Sequence, residues 1–440
     1  MTDATDTGAR PQRSIIATDA RTRARNAAER RFRAYGVAAI CAGLAFLVVL
    51  AVNIVRAGLP AFTERVVTLE FTLTQEQFDE AEAAMLKTAI YNDFFVQGLE
   101  ANLAERGVEV DYDLEAIERI VGKAGGALRE FYRGNPDALG EPVAFSLPTA
   151  SKVDGYFKGR VSRDTLVDSR FLTKADLDIV DALAAAGLID SRFNWNFING
   201  ADSGVDNPGG AGIGASVVGS FYMMLVVLGL SLPIGVAAAI YLEEFAPKNR
   251  FTDLIEVNIS NLAAVPSIVY GILGLGVFIQ FMHLPQSAPV VGGLVLSLMT
   301  LPRIIIPARA ALSAVPPSIR EAALGVGASK TQTVFHHVLP LAAPGILTGL
   351  IIGLAQALGE TAPLLLIGMV GFVARQYPDT LLQGFVEPNS AMPAQIYTWA
   401  ARSDVAFYEK AWGGIIVLLV FLLAMNAVAI VLRRKFERRW

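Results

Sequence analysis

Six stretches of this chain are apolar for long enough to cross the hydrocarbon core of a bilayer. Each covers roughly the 20 residues that a helix needs to span about 30 Å. They lie near Tyr35–Ile54, Ala215–Tyr241, Asn261–Met282, Ala288–Arg309, Pro344–Phe372 and Ala411–Leu432. Composition agrees: 53% of the 440 residues are hydrophobic, 18% are charged and the mean hydropathy is +0.46, which excludes an ordinary soluble protein of several domains. The first stretch is not a cleavable signal peptide, because it lies deep in the chain, is too long and lacks a small-residue cleavage site. The fold class expected is an all-α polytopic membrane protein of six transmembrane helices.

Arginine sets the orientation. Arg21, Arg23, Arg25, Arg30, Arg31 and Arg33 precede the first span, and Arg433, Arg434, Lys435, Arg438 and Arg439 follow the last, so both ends are expected in the cytoplasm. The segment joining the fourth and fifth spans, with Arg309, Arg320 and Lys330, then also faces the cytoplasm. Lys248 and Arg250 lie inside too, although Glu243 and Glu244 dilute that signal. The loop Val373–Lys410 carries only Arg375, Arg402 and Lys410 as basic residues and is expected outside. Between the first two spans, Ala57–Gly214 holds 14 basic against 26 acidic residues, which reads as an acidic soluble domain on the outer side. Long loops are translocated largely regardless of charge, so it does not disturb the topology. Cys41, the only cysteine, sits in the first span; no intrachain disulfide or cysteine-rich metal motif is possible.

The chain therefore divides into a basic tail (1–33), a first span (34–56), an outer domain (57–214), a core of five spans (215–434) and a short tail (435–440). The first tail is arginine-rich without an apolar stripe and reads as mostly disordered, with contact to anionic lipid. In the outer domain Val66–Leu73 alternates as a strand does, and Thr74 with Gln77 forms a capping box opening a helix from Gln75 to Arg106. Another helix starts at Thr173 and stops at Gly187. The domain is small and α+β. Gly209, Gly210, Gly212 and Gly214 read as a flexible entry to the second span. In the fifth span Gly345, Gly349, Gly353, Ala357 and Thr361 recur every fourth residue, a smooth row on which a neighbouring helix can approach closely.

The polar interruption at 315–341 is more patterned than a solvated loop requires. Pro316-Pro317 ends the fourth span, Ser318 with Glu321 and Ser329 with Gln332 form capping boxes, Gly325 and Gly327 permit a turn, and Pro340 marks the bend into the fifth span. Two short helices at an angle are expected. Gly325-Val-Gly-Ala-Ser-Lys330-Thr331 echoes a phosphate loop only superficially, since glycine should precede the lysine and a strand should precede the loop.

Glu321-Ala322-Ala323, Gly327 and Leu339-Pro340 resemble the EAA loop of permease subunits of binding-protein-dependent ABC importers. That resemblance implies a type I (MetI-like) permease arrangement and a loop that docks into a cleft on a separate ATPase, with Arg320 beside the motif; His337 replaces the usual isoleucine or valine. Tyr241–Pro247, Asn258–Ala263, Val265–Gly271, Gly359–Leu365 and Tyr397–Trp399 are similar to the PstA permeases of phosphate importers, over roughly Ser216 to Arg434 and the first span. The outer domain is not covered and marks a long form. The resemblance implies translocation of inorganic phosphate into the cytoplasm by a subunit that is no enzyme. It also implies a PstC-like second permease, a PstB-like ATPase dimer binding ATP and Mg, and a PstS-like extracytoplasmic binding protein, with no cofactor in this chain. A permease for another oxyanion, such as sulfate or molybdate, shares the fold and loop. A receptor using the outer domain leaves the loop and the six spans unexplained.

Four polar residues are candidates for the translocation path or its gate: Arg303, Gln356, Glu360 and Thr361. Glu360 lies near the middle of the expected fifth span, where an ionised carboxylate must be paired or wet. Gln356 is one turn earlier on the same face, about where relatives often carry arginine. Glu360 either pairs with a cation from the second permease as a gate or acts as an interhelical clamp; direct coordination of phosphate is disfavoured by like charge. Arg303 either offers positive charge to a passing oxyanion or, the preferred reading, snorkels to headgroups. His336 and His337 point to different faces and His283 is distant, so no metal site arises.

Overall fold

The computed structural model describes residues 20–107, 114–122, 124–168, 171–205, 207–369 and 377–436. Arg375, Arg438, Arg439 and the tail at 1–19 lie outside the described residues, as does Phe372, the expected end of the fifth span. Two compact units divide the chain, Met1–Ile54 and Val55–Trp440. Helix α1 (Ala20–Gly58) begins fifteen residues ahead of the apolar stretch at Tyr35, so the arginine-rich segment expected to be disordered is helical from Ala20. Arginine and alanine dominate that segment, and both are strong helix formers.

The second unit opens with the α+β domain. A short 3₁₀ turn at Leu59–Phe62 leads into β1 (Thr63–Phe71), the centre of a three-stranded antiparallel sheet. Helices α2 (Gln75–Ala83), α3 (Lys87–Glu105), α4 (Leu114–Val121) and α5 (Ala124–Gly134) lead to β2 (Val143–Pro148). Helices α6 (Ser151–Phe157), α7 (Arg163–Asp168) and α8 (Lys174–Ala185) lead to β3 (Ile189–Phe193) and α9 (Trp195–Asn199). The strand order is β2-β1-β3, with Val67 opposite both Leu147 and Ile189. Alternation puts Val67, Leu69 and Phe71 on one face, buried with Phe95, Leu99, Leu128 and Val180. Each such side chain contributes about 1.5–3 kcal/mol by leaving water.

The capping box expected at Thr74 forms, and the helix expected to start at Thr173 does so behind a capping box of its own. Thr74 and Gln77 exchange bonds at the start of α2, and Thr173 does the same with Asp176 at α8. Gly187 ends that last helix at φ +70. The helix expected from Gln75 to Arg106 is instead two, broken where Ala84 is extended. Across the break Glu82 meets Lys87 at 3.3 Å and Arg129 at 2.5 Å.

Among the described residues five helices are long and apolar enough to cross a membrane, or six if one bent pair counts as a span. Helix α10 (Gly214–Ile240) continues through a π-helical turn to Phe245. The bent pair is α11 (Arg250–Ala263) with Ser267–Phe281, whose first half is α12 (Ser267–Leu273) and whose second half is π-helical. They meet at 101°, so the third span is a broken element rather than the continuous helix expected over Asn261–Met282. Pro266 lacks an amide donor at the bend. The limb Ser267–Phe281 is roughly 22 Å long at 1.5 Å per residue, short of the bilayer core.

Helix α13 (Pro289–Ser313) is followed by α14 (Pro317–Gly325). Then α15 (Lys330–Thr333), a π-helical turn at Val334–Val338 and α16 (Leu339–Gly359) run as one helix of 30 residues. Pro340 therefore does not bend the chain. It sits at the start of α16, where the π turn before it has already displaced the backbone bonding that proline would break. After Gly359 the fifth span ends, Glu360 is extended (φ −77, ψ 126), and α17 (Ala362–Leu366) follows. The chain closes through α18 (Gln383–Val386), α19 (Met392–Ala401) and α20 (Val405–Phe436).

Glycine sets the close contacts. A Cβ on Gly345 would stand 2.6 Å from Ala311, on Gly349 2.8 Å from Pro307, and on Gly353 3.2 Å from Thr300, so the small-residue row of α16 lies against α13 as expected. Gly212 and Gly214, read as a flexible entry, are packed instead: an added Cβ would lie 2.4 Å from Asn196 O and 2.7 Å from Asn199 C. They allow α10 to start directly beneath the α+β domain. Asp202 fastens the same connection, accepting from Trp399 Nε1 at 2.8 Å and pairing with Arg402 at 2.6 Å.

Candidate functional site

Two of the broken elements meet. Gly271 in α12 presses on Pro363 in α17, where an added Cβ would stand 2.7 Å from the proline Cα. Beside this contact the last turn of α16 carries Gln356, and the unwound residue Glu360 follows. A discontinuous helix exposes backbone that lipid cannot satisfy, so such breaks are tolerated only where protein or water surrounds them. Glu360 is thus not mid-helix as the sequence reading had it; it caps the break.

Arg303 of α13 faces the break. Its guanidinium NH1 lies 3.7 Å from Glu360 Oε1, with side-chain exposures of 22% and 19%. The donor and acceptor pattern assigns the Gln356 carboxamide with its oxygen toward Arg303, accepting from NH1 at 3.2 Å and NH2 at 3.1 Å. Arg303 consequently does not snorkel. One carboxylate and one amide oxygen hold it inside the bundle, where a lone guanidinium would be costly. Within this chain Arg303 is the cation nearest to Glu360. Thr361 is half-buried at the start of α17, where its carbonyl accepts from the amides of Leu364 and Leu365.

The loop at 315–341 has different physics. Helix α14 starts at Pro316 without a side-chain cap, so the capping box expected of Ser318 and Glu321 does not form; Pro317 supplies the fixed φ that starts the helix instead. It ends in a Schellman motif: Ala328 N bonds Ala323 O at 3.1 Å and Gly327 N bonds Leu324 O at 3.0 Å. Gly327 takes φ +91, which explains a glycine at that distance from Glu321. The second box, Ser329 with Gln332, is present.

Glu321, Ala322 and Gly327 are exposed, and so are the apolar Leu324, Val326 and Phe335. Ala323 is buried, and Leu339 and Pro340 are half-buried within the long helix. Arg320 turns inward. It pairs with Glu244 at 2.6 Å and donates to the carbonyls of Leu312 in the last turn of α13 (2.9 Å) and of Val315 just beyond it (2.7 Å). Beside it Arg309 bonds Glu256 of α11 at 2.8 Å and lies 3.5 Å from Glu243. Sequence reasoning gave no role to Glu243, Glu244 and Glu256; acids that dilute a basic cytoplasmic signal were the clue that these arginines have partners.

Residues 231–440 match the family model described as binding-protein-dependent transport system inner membrane component, and residues 19–166 match a domain of unknown function, DUF3333. The probable ABC transporter permease protein YqgI of Bacillus subtilis is 30% identical over 249 residues, covering 54% of this chain and 83% of that protein. The chain belongs to the inner-membrane permease family of binding-protein-dependent transport systems. Phosphate transport system permease protein PstA 1 of Mycobacterium tuberculosis is 30% identical over 228 residues, 52% of this chain and 72% of that one. PstA of Mycobacterium leprae is 28% identical over 307 residues, 69% and 98% respectively. The permease is accordingly a multi-pass transport subunit of an ABC importer, of PstA type, in a long form that carries an additional α+β domain.

Proposed function

We propose that this permease moves inorganic phosphate inward across the inner membrane, with both termini and the loop at 315–341 in the cytoplasm and the α+β domain outside. The observation that carries the reading is the Arg303, Gln356 and Glu360 cluster at the break between α16 and α17. A guanidinium recognises a phosphate through two parallel N–H bonds, and a pair as long as 3.7 Å is loose enough for an arriving oxyanion to displace the carboxylate. Glu360 then neutralises Arg303 when no substrate is present and retreats when phosphate arrives. The site is weak and passable; tight capture belongs to the extracytoplasmic binding protein, a PstS-like partner. Relatives named as phosphate permeases support this substrate.

Energy enters at the loop. The exposed face of α14 docks on a PstB-like ATPase dimer that holds ATP and Mg, while a PstC-like permease completes the pathway. Arg320 ties α14 to the ends of α10 and α13, so movement of the docked helix passes to both spans. ATP hydrolysis by the reconstituted complex, stimulated by phosphate-loaded binding protein and indifferent to sulfate, is the expected result. Equal stimulation by a sulfate-loaded protein would transfer the reading to another oxyanion.

A further inference from the structure

The π-helical turn Tyr241–Phe245 that ends α10 is gripped by three other elements through three consecutive side chains. Glu243 lies 3.5 Å from Arg309 of α13, Glu244 pairs with Arg320 of α14 at 2.6 Å, and the Lys330 ammonium of α15 stands 5.3 Å from the centre of the Phe245 ring. Adjacent residues of a helix project in different directions, so one turn reaches all three. The Glu244 pair is firm: its side chain is only 8% exposed, and the same guanidinium also bonds the carbonyls of Leu312 and Val315.

The Arg309 pair is not. The nitrogen that lies 3.5 Å from Glu243, NH2, also bonds Glu256 of α11 at 2.8 Å, while Nε is buried without a hydrogen-bond partner among the described residues. A guanidinium settled on one carboxylate makes two parallel bonds; this one makes a good bond and a long one with a single nitrogen. Two carboxylates compete for one cation on the wall of an open cavity of about 510 Å³, also lined by Ser260, Asn261 and Ser313, which leaves the side chains room to turn. Glu256 belongs to the bent element. There the Tyr270 hydroxyl donates to the Leu262 carbonyl across the bend at 2.8 Å, tying α11 to α12, and Gly271 of α12 presses on Pro363 beside the unwound Glu360.

We propose that Arg309 is a positioning residue for transport, its guanidinium exchanging between Glu256, the nearer partner in the arrangement described, and Glu243. A pull on α14 reaches Glu244 through Arg320, and Glu243 is the neighbouring residue of the same turn, so movement of the loop shifts the contest for Arg309 and with it the hold on α11. The broken elements around Arg303, Gln356 and Glu360 then follow the loop. This coupling requires a loop driven by an ATPase, as proposed above, and is indifferent to which oxyanion is moved.

Two measurements test it. In thermal unfolding of the full chain in maltoside micelles, Glu243→Gln and Glu256→Gln should each move the midpoint by less than about 1 °C, because the remaining carboxylate takes Arg309, whereas the double variant should lose about 3 °C or more. A fixed ion pair behaves otherwise: Glu256→Gln costing as much as the double variant, or a double variant as stable as the single ones, would overturn the proposal. In the assembled importer without binding protein, Glu256→Gln removes the partner that holds the described arrangement and should raise ATP hydrolysis at least about twofold, while Glu243→Gln removes the alternative partner and should lower it by a similar factor. Changes of the same sign, or no change in either variant, would overturn it as well. Unfolding uses this chain alone, so an assembled wild type that hydrolyses no ATP would remove the ATPase reading while unfolding still decides the exchange.

Discussion

At the scale of single residues, environment overrode one-dimensional position. Arg303 stands near the end of an apolar stretch, which on sequence alone favours snorkelling; only packing of α13 against the end of α16 shows that Gln356 and Glu360 await it. Replacing Arg303 by Gln should leave expression and assembly intact but lower phosphate uptake by about tenfold or more, the cost of removing one partner from a buried charged pair. Glu82 makes a different prediction. Bonding to Arg129, aided by Lys87 and opposed by desolvation, lowers its carboxyl from 4.5 to about 2. Asp176 is pulled below its usual value as well: burial pushes it up, and bonds from Arg119 and Thr173 outweigh that. A depressed folded-state value stabilises above the unfolded one and is lost as pH falls through the folded one. Hydrogen exchange of the α+β domain in the full chain should therefore accelerate between about pH 4.5 and 2, and Glu82→Gln should flatten that part of the profile.

At the scale of elements, six apolar stretches were legible because lipid leaves the backbone no alternative to helix. Their interruptions were not. Hydropathy runs unbroken through Asn261–Met282 and across Gly359–Leu366, while the 101° bend after Ala263 and the extended Glu360 arise from Pro266 and from packing between α12 and α17. Proline misled in the opposite direction at Pro340, where a preceding π turn lets the helix continue. The loop was read better, since a left-handed glycine and a capping box are local devices. Gly327→Ala should destabilise the end of α14 by about 1–2 kcal/mol, through the left-handed backbone alone. Arg320→Gln should do more: it unpairs Glu244 and removes the bonds to Leu312 and Val315 that hold α14 to the end of α13, so ATP hydrolysis should persist while uptake falls. Measuring hydrolysis and transport on one preparation separates the two effects, and parallel loss of both would assign Arg320 to assembly instead.

At the scale of the whole molecule, a permease core has acquired an α+β domain that is bolted on rather than tethered. Lys152 to Asp404 at 2.8 Å, the pairs of Glu409 with Lys158 and Arg160, and the glycines at the start of α10 all fix it to core helices within one compact unit. Composition identified the domain as acidic and soluble, but its seating depends on ion pairs between residues some 250 positions apart, which no local pattern encodes. Phosphate is proposed to pass at the loosely paired guanidinium beside the helix break. Phosphate uptake into proteoliposomes holding the complete importer, compared between wild type and Arg303→Gln with binding-protein docking and ATPase assembly verified, tests it most directly. Uptake reduced at least about tenfold in an assembled complex is the predicted result; unchanged uptake in that complex would contradict it.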